Sequence, residues 1–253
     1  MIDGFASVSL EDVTGAAPLL TRIDHKYVVP IAALLGIIER FDMPILEIHG
    51  HRAFRYESVY FDTPEWTTYL AAAHRRRRRL KVRTRTYVDS GVCMLEVKSR
   101  GYRDQTVKER IDYDLNDRTV LNASGRIFLV ERAADLAQRP LRAVLTTSYR
   151  RSSFADLTIG ARVTVDTDLA CSDMSERRVG MPGYAIIETK SANGSCPTDR
   201  LLWSAGYRPD SISKYGFGVA MLHPELPRNK WQRPLRTYMA EITSSEPGME
   251  SRT

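Results

Sequence analysis

The chain has 253 residues, 43% of them hydrophobic and 27% charged, with 37 Lys and Arg against 31 Asp and Glu, a net charge of +6 and a pI near 9.3. That mixture excludes a disordered chain, no apolar run approaches the roughly 20 residues that span a bilayer, and three cysteines without a CxxC spacing exclude a disulfide framework or a zinc knuckle. The basic balance points to an anionic partner: nucleic acid, a membrane surface or phosphate.

In chain order, residues 1–20 are small and mildly acidic. They lack the basic start and apolar stretch of a signal peptide, and with the cysteine usage this sets a cytoplasmic location as the expectation. Thr21–Pro30 alternates and ends at a proline, as a strand would; Ile31–Phe41 has helical apolar spacing behind Pro30. Arg55–Asp62 is rich in aromatic and β-branched residues and predicts a strand. Pro64–Arg75 predicts a helix with Thr63 as its N-cap. Period-two segments follow at Leu80–Val88, Val92–Lys98, Thr106–Tyr113, Thr147–Phe154, Ala161–Asp168 and Tyr184–Lys190, with a partly helical stretch at Asn122–Gln138 and short helices at Thr198–Ala205 and Lys214–Leu222. His223–Thr253 has the prolines and arginines of a peripheral tail. The organisation expected is a segment over 1–20, one domain over 21–222 and a tail over 223–253.

Alternate residues of a strand share a face. Lys81, Arg83 and Arg85 share one; so do Met94, Glu96 and Lys98; Lys108, Arg110 and Asp112; Arg162, Thr164 and Asp166; and Ile186, Glu188 and Lys190. Val82, Leu95, Val97, Val107, Ile111, Val163, Val165 and Ile187 occupy the opposite faces. For one strand, a sheet with one face in water explains this. Repeated over five strands, a mostly cationic face would set like charges against one another. That pattern suggests a concave surface or barrel lumen built around a polyanion.

Only seven of the 37 basic residues are lysines, and six of these fall in the predicted strands or site loops. Two segments echo each other, Leu95-Glu96-Val97-Lys98-Ser99 and Ile187-Glu188-Thr189-Lys190-Ser191. Each sets a carboxylate and an ammonium on one face. This is either a cross-strand ion pair or a hard divalent ion, Mg²⁺ or Mn²⁺, held beside phosphate-binding lysines.

In order, TRIDHKY, YESVYFDT, KVRTRTY, LEVKSR, TVKERI, SYRRSSF, RVTVDTDL, IIETKS and SISKYGFG resemble the VTC domain of the CYTH, or triphosphate tunnel metalloenzyme, superfamily, over about residues 21 to 222. The resemblance implies an α+β fold: an antiparallel β-barrel with a basic tunnel and helices packed outside. It implies a polyphosphate polymerase that passes the γ-phosphate of ATP to a growing inorganic polyphosphate chain, with Mn²⁺ or Mg²⁺ as cofactor and ATP, triphosphate and polyphosphate as ligands. Related branches begin with Glu-x-Glu-x-Lys; here the stretch is Arg22-x-Asp24-x-Lys26, which weakens the triphosphatase and cyclase readings. By matched motif, Lys26, Arg83, Arg85, Lys98, Lys108, Arg110, Arg150, Arg162, Lys190 and Lys214 bind phosphate, with Lys81 added by parity. Glu188 is the principal metal ligand and Glu96 a second candidate, while Glu188 and Lys214 are the catalytic pair. Tyr60 and Asp62 are read as structural. A membrane-protein partner is left open.

The alternatives are a metal-dependent triphosphatase on the same barrel and a non-catalytic polyanion- or RNA-binding module. No P-loop, Rossmann or H-E-x-x-H motif is present. Arg75–Arg79 is either a nucleic-acid patch or a solvated helix end whose cations answer the helix dipole. No aromatic interleaves with it to stack bases, so nucleic acid is not the partner expected. His49 and His51 are read as solvated, and Trp66, Trp203 and Trp231 as packing residues.

Overall fold

The computed structural model describes residues 2–16, 23–100, 106–192 and 194–241. From the N-terminus come β1 (Ser7–Val8), α1 (Leu10–Ala16), β2 (Ile23–Pro30), α2 (Ile31–Ile38), β3 (Ile45–Leu46), β4 (Phe54–Asp62), α3 (Thr67–Ala73), β5 (Leu80–Tyr87), β6 (Val92–Arg100), β7 (Thr106–Asp112) and α4 (Ala123–Ala137). Then follow β8 (Arg142–Asp156), β9 (Ala161–Ser172), β10 (Arg178–Gly180), β11 (Tyr184–Ser191), α5 (Pro197–Ser204), α6 (Lys214–Leu222), α7 (Gln232–Tyr238) and β12 (Ala240–Glu241).

Eight strands pair antiparallel in the order β2-β11-β9-β8-β4-β5-β6-β7. The pair β10–β12 extends from β9, and β3, with β1 parallel to it, from β8. Among the described residues no ladder joins the edge strands β2 and β7. The sheet nevertheless curls until its charged face encloses a lumen: Lys26 on β2 acts electrostatically on Lys81 of β5, and Lys98 on β6 acts on Glu188 of β11. The chain before α6 links β2 to β5. Asp210 N–H donates to the Lys26 carbonyl at 2.7 Å along the free edge of β2, and Lys81 Nζ donates to Ser213 Oγ at 3.0 Å.

The alternation of the strands decides what lies outside. Tyr27, Val29, Val163 and Ile187 pack beneath Leu34, Ile37 and Ile38 of α2 and Leu202 of α5. Val59, Phe61, Val82, Leu95 and Val97 pack beneath Phe128, Leu129 and Leu136 of α4. A third cluster joins α3, α6 and α7 to the sheet through Tyr69, Leu145, Tyr215, Phe217 and Trp231. Close approach there needs glycine: a Cβ on Gly216 would lie 2.6 Å from the Trp231 ring, and one on Gly218 2.8 Å from Leu145.

Three boundaries differ from expectation. Helix α3 starts at Thr67 behind Trp66, not Thr63. Its N-terminus is held by Asp62, whose oxygens accept from the N–H groups of Thr68 and Tyr69 at 2.8 and 2.9 Å and from Tyr215 O–H at 2.6 Å. A buried carboxylate with two oxygens satisfies more of the orphan donors than one threonine hydroxyl. Strand β8 runs from Arg142 to Asp156, longer than the alternating core of its sequence. In the stretch read as a tail, Trp231 is 1% exposed and Leu235 3%; both join the α3–α6 cluster.

Candidate active site

The strand register sets the lumen residues in cross-strand rows. Lys81, Lys98 and Lys108 are successive Cα partners on β5, β6 and β7. The next row holds Tyr60, Arg83, Glu96 and Arg110, and the one beyond it Ser58, Arg85 and Met94. Across the lumen, Arg151 faces Asp166, Thr164 faces Glu188 and Glu188 faces Lys26, while Arg162 partners Lys190 and Lys190 partners Asp24.

Three carboxylates anchor this array. Glu96, fully buried, accepts Nε and Nη2 of Arg83 at 2.9 and 2.6 Å and lies 2.5 Å from Lys108 Nζ. Asp166, also buried, accepts the guanidinium fork of Arg151 at 2.6 and 2.7 Å and Lys214 Nζ at 2.5 Å. Glu188 stands 3.0 Å from both Lys26 and Lys190 and 4.0 Å from Arg151. Burial pushes each carboxyl upward, but the neighbouring cations outweigh it and hold all three well below the usual carboxylate range.

Among the described residues, Arg85, Lys81 and Lys98 have no such carboxylate partner. Arg85 donates to neutral groups, Tyr149 O–H at 3.0 Å and Ser58 Oγ at 3.4 Å. Lys81 donates to the Ser213 hydroxyl. No hydrogen-bond partner meets Lys98 among the described residues. Burial, then repulsion by Lys26, Arg83 and Lys230, brings the Lys81 pKa down to about 7. Burial, then Arg83 and Arg85, takes Lys98 well below its ordinary value. Lys190 falls to about 8 by burial, although Glu188 pulls it upward. Burial alone would raise Tyr149, but Arg85, Arg151 and Lys214 outweigh it and lower its pKa; its ring lies 4.4 Å from Lys214 Nζ.

Of the residues predicted from sequence, Lys26, Lys81, Arg83, Arg85, Lys98, Lys108, Lys190, Lys214, Glu96 and Glu188 converge on this lumen. Arg110 shares the face but is exposed on the edge strand β7. Arg162 sits at the rim, where its Nη2 donates to the Val13 carbonyl of α1 at 2.5 Å. Arg150 corrects an expectation: it is exposed on the outer face of β8, and its neighbour Arg151 points inward between Asp166 and Glu188. Two consecutive arginines have opposite parity, and only the pairing of Arg151 with Asp166 selects the inner one. Arg22 lies outside the described residues. Residues the sequence reading left without a role are Arg151, Asp166, Tyr149, Ser58 and Ser213. Tyr60, read as structural, is also a lumen group, its hydroxyl accepting from Arg83 Nη1 at 3.0 Å. Asp166 alone had a signal, since its parity already placed it beside Arg162 and Thr164.

Among the described residues, no three His, Cys, Asp or Glu side chains converge as a ready-made metal cage. Glu96 and Asp166 are each taken up by an arginine and a lysine. Glu188 stands outside any guanidinium fork. This donor set fits a hard divalent ion that takes one protein carboxylate and completes its shell with water and phosphate oxygens.

Solved structures similar to this chain include a protein from Bacillus halodurans proposed to be an adenylate cyclase (TM-score 0.48, 12% identity, covering 84% of this chain and 96% of that one). A Hippeastrum protein proposed to be an adenylyl cyclase and described as having a dominant triphosphatase activity gives TM-score 0.48 and 15% identity, over 79% of this chain and 96% of that one. One from Vibrio parahaemolyticus, again proposed to be an adenylate cyclase, gives 0.45 and 14%, over 76% and 94%. No curated protein matches the sequence. The model of the VTC domain matches residues 21–223, most of the chain and all the lumen strands, and the chain belongs to that family.

Proposed function

We propose that this chain is a phosphotransferase that binds a triphosphate or polyphosphate chain in its lumen and moves the γ-phosphate of ATP onto the end of inorganic polyphosphate. One observation carries the reading: among the described residues, Lys81, Arg85 and Lys98 are enclosed together without carboxylate partners. Such charges are costly unless an anion completes them, and a chain of phosphates supplies anionic oxygens along the whole row. No nucleophilic side chain is required, because phosphoryl transfer needs positioning and cations on the developing charge.

In this reading, a terminal phosphate oxygen of the acceptor forms the new bond to the γ-phosphorus. The bond from that phosphorus to the β–γ bridging oxygen breaks, and ADP leaves with the electron pair. Lys214 and Arg151, oriented by Asp166, meet the charge on the transferring and leaving groups. Glu188 is the residue that would hold Mg²⁺ or Mn²⁺, which when bound neutralises phosphate charge. Polymerisation is favoured over hydrolysis by the state of the acids: Glu96, Asp166 and Glu188 are each committed to cations, leaving none of them disposed to take a proton from water. A phosphate acceptor is already ionised. The test is incubation with ATP and Mn²⁺, with products resolved by gel and ³¹P NMR. Chain product supports the proposal; orthophosphate alone assigns a triphosphatase; neither product, with tripolyphosphate still bound, leaves a non-catalytic polyanion binder.

A further inference from the structure

The cationic row does not stop where β5 begins. Lys98 faces Lys81, the first lumen residue of that strand. Lys230 is close enough to act electrostatically on Lys81, and its Nζ donates to the Ala72 carbonyl in the last turn of α3 at 3.2 Å. Just past that turn Arg75 takes a left-handed conformation, φ 55°, with its N–H bonded to Ala72 and that of Arg76 to Ala71, at 3.2 and 2.9 Å. This helix-ending turn favours glycine; an arginine there is an expensive choice. The arginines at 75 to 79 then lead directly into β5. Arg75, Arg76 and Arg78 are exposed and meet no acid among the described residues. Lys230 already places one cation on the carbonyl end of α3, so the arginines add charge beyond it.

We propose that this strip is an external track for polyphosphate, so that a long chain leaves the lumen past Lys81 and Lys230 and along the arginine run. The inference rests on the proposed function and adds a direction to it: the growing or bound chain emerges at the β5 end.

The test compares tripolyphosphate, short enough for the lumen alone, with long-chain polyphosphate. Binding to the whole chain is measured for wild type and for a variant carrying Arg75→Gly, Arg76→Gln and Arg78→Gln. Glycine suits the positive φ, so this variant should melt no lower than wild type. Long-chain affinity should fall roughly tenfold, the sum of three exposed ionic contacts, while tripolyphosphate affinity stays within about twofold. The slope of log affinity against log salt should become shallower by about two for the long chain, by analogy with single-stranded nucleic acids. Equal long-chain affinity in the two proteins overturns the track, as does an equal loss for both ligands. Single-stranded DNA displacing the long chain as well as polyphosphate itself does would make the strip a nucleic-acid surface and also overturn it. Failure of tripolyphosphate to bind wild type would instead defeat the lumen reading, and the track with it.

Discussion

Glu96→Gln is the substitution on which the lumen architecture should be most exposed. Glu96 is completely buried, and the Arg83 side chain that forks onto it is 8% exposed. The amide keeps one oxygen to accept a hydrogen bond, but turns an N–H₂ donor toward Arg83 or Lys108 and leaves their charges uncompensated beside Arg85 and Lys98. Breaking a buried pair from one side typically costs ~3–5 kcal/mol. At about 2–4 °C per kcal/mol for a chain of this size, the melting temperature should drop by roughly 6–20 °C. The assay is thermal unfolding at neutral pH and low salt, with and without tripolyphosphate. The phosphate should raise the variant's melting temperature by more than it raises that of wild type, since it supplies the missing anion. The same pair predicts acid sensitivity. The folded pKa of Glu96 lies below its unfolded value of about 4.5, so its contribution is complete above that value and disappears as pH falls toward the folded pKa. Glu96→Gln should therefore lose less stability than wild type between pH 5 and the acid transition. A variant melting within about 2 °C of wild type at neutral pH would refute the pairing argument and reopen Glu96 as a metal ligand.

Glu188→Gln should retain or tighten tripolyphosphate binding, because one negative charge leaves a cationic lumen, while turnover falls about a hundredfold or more; calorimetry and ATP consumption read the two, and wild-type turnover would remove Glu188 from the metal role. Lys214→Ala should weaken binding and turnover together, measured the same way. Arg151→Ala should unfold more easily and lose phosphate affinity because Asp166 is left buried without its fork, whereas Arg150→Ala should stay within about 0.5 kcal/mol of wild type; equal effects in melts and titrations would cancel the assignment of Arg151. Lys81, with a pKa of about 7 in the folded chain against 10.5 for the ordinary side chain, is protonated more readily when unfolded. Stability without ligand should therefore rise from pH 7 toward 10. Anion affinity should fall over the same range as the ammonium discharges, and Lys81→Met should flatten its share of both profiles in melts and titrations.

How much of the site was legible follows from what each signal measures. Strand alternation reports which residues share a face, so it groups Lys81, Arg83 and Arg85, Glu96 and Lys98, and Glu188 and Lys190 from the sequence alone. The motif order identified their likeness to a phosphate tunnel. Parity could not tell which groups each carboxylate would meet. It therefore left Glu96 and Glu188 equivalent, although one is sealed by Arg83 and Lys108 and the other stands between two lysines. It also could not choose between Arg150 and Arg151, because β8 carries a register shift between Ser148 and Arg150 that the residue pattern does not announce.

The sequence by itself determined the period of its strands, the inward face of most of them, the small glycines of the Lys214–Leu222 helix and the excess of cations that calls for an anionic ligand. These are local properties, written in one residue and its neighbours two or four positions away. Only the tertiary structure decided that the sheet curls far enough for Lys26 to act on Lys81, that Lys214 reaches Asp166, and that Trp231 closes over Gly216. It also decided which cations are left without a carboxylate. Each of these depends on groups far apart in the chain meeting across a lumen, where low solvent exposure makes the presence or absence of one partner worth more than the identity of the residue itself.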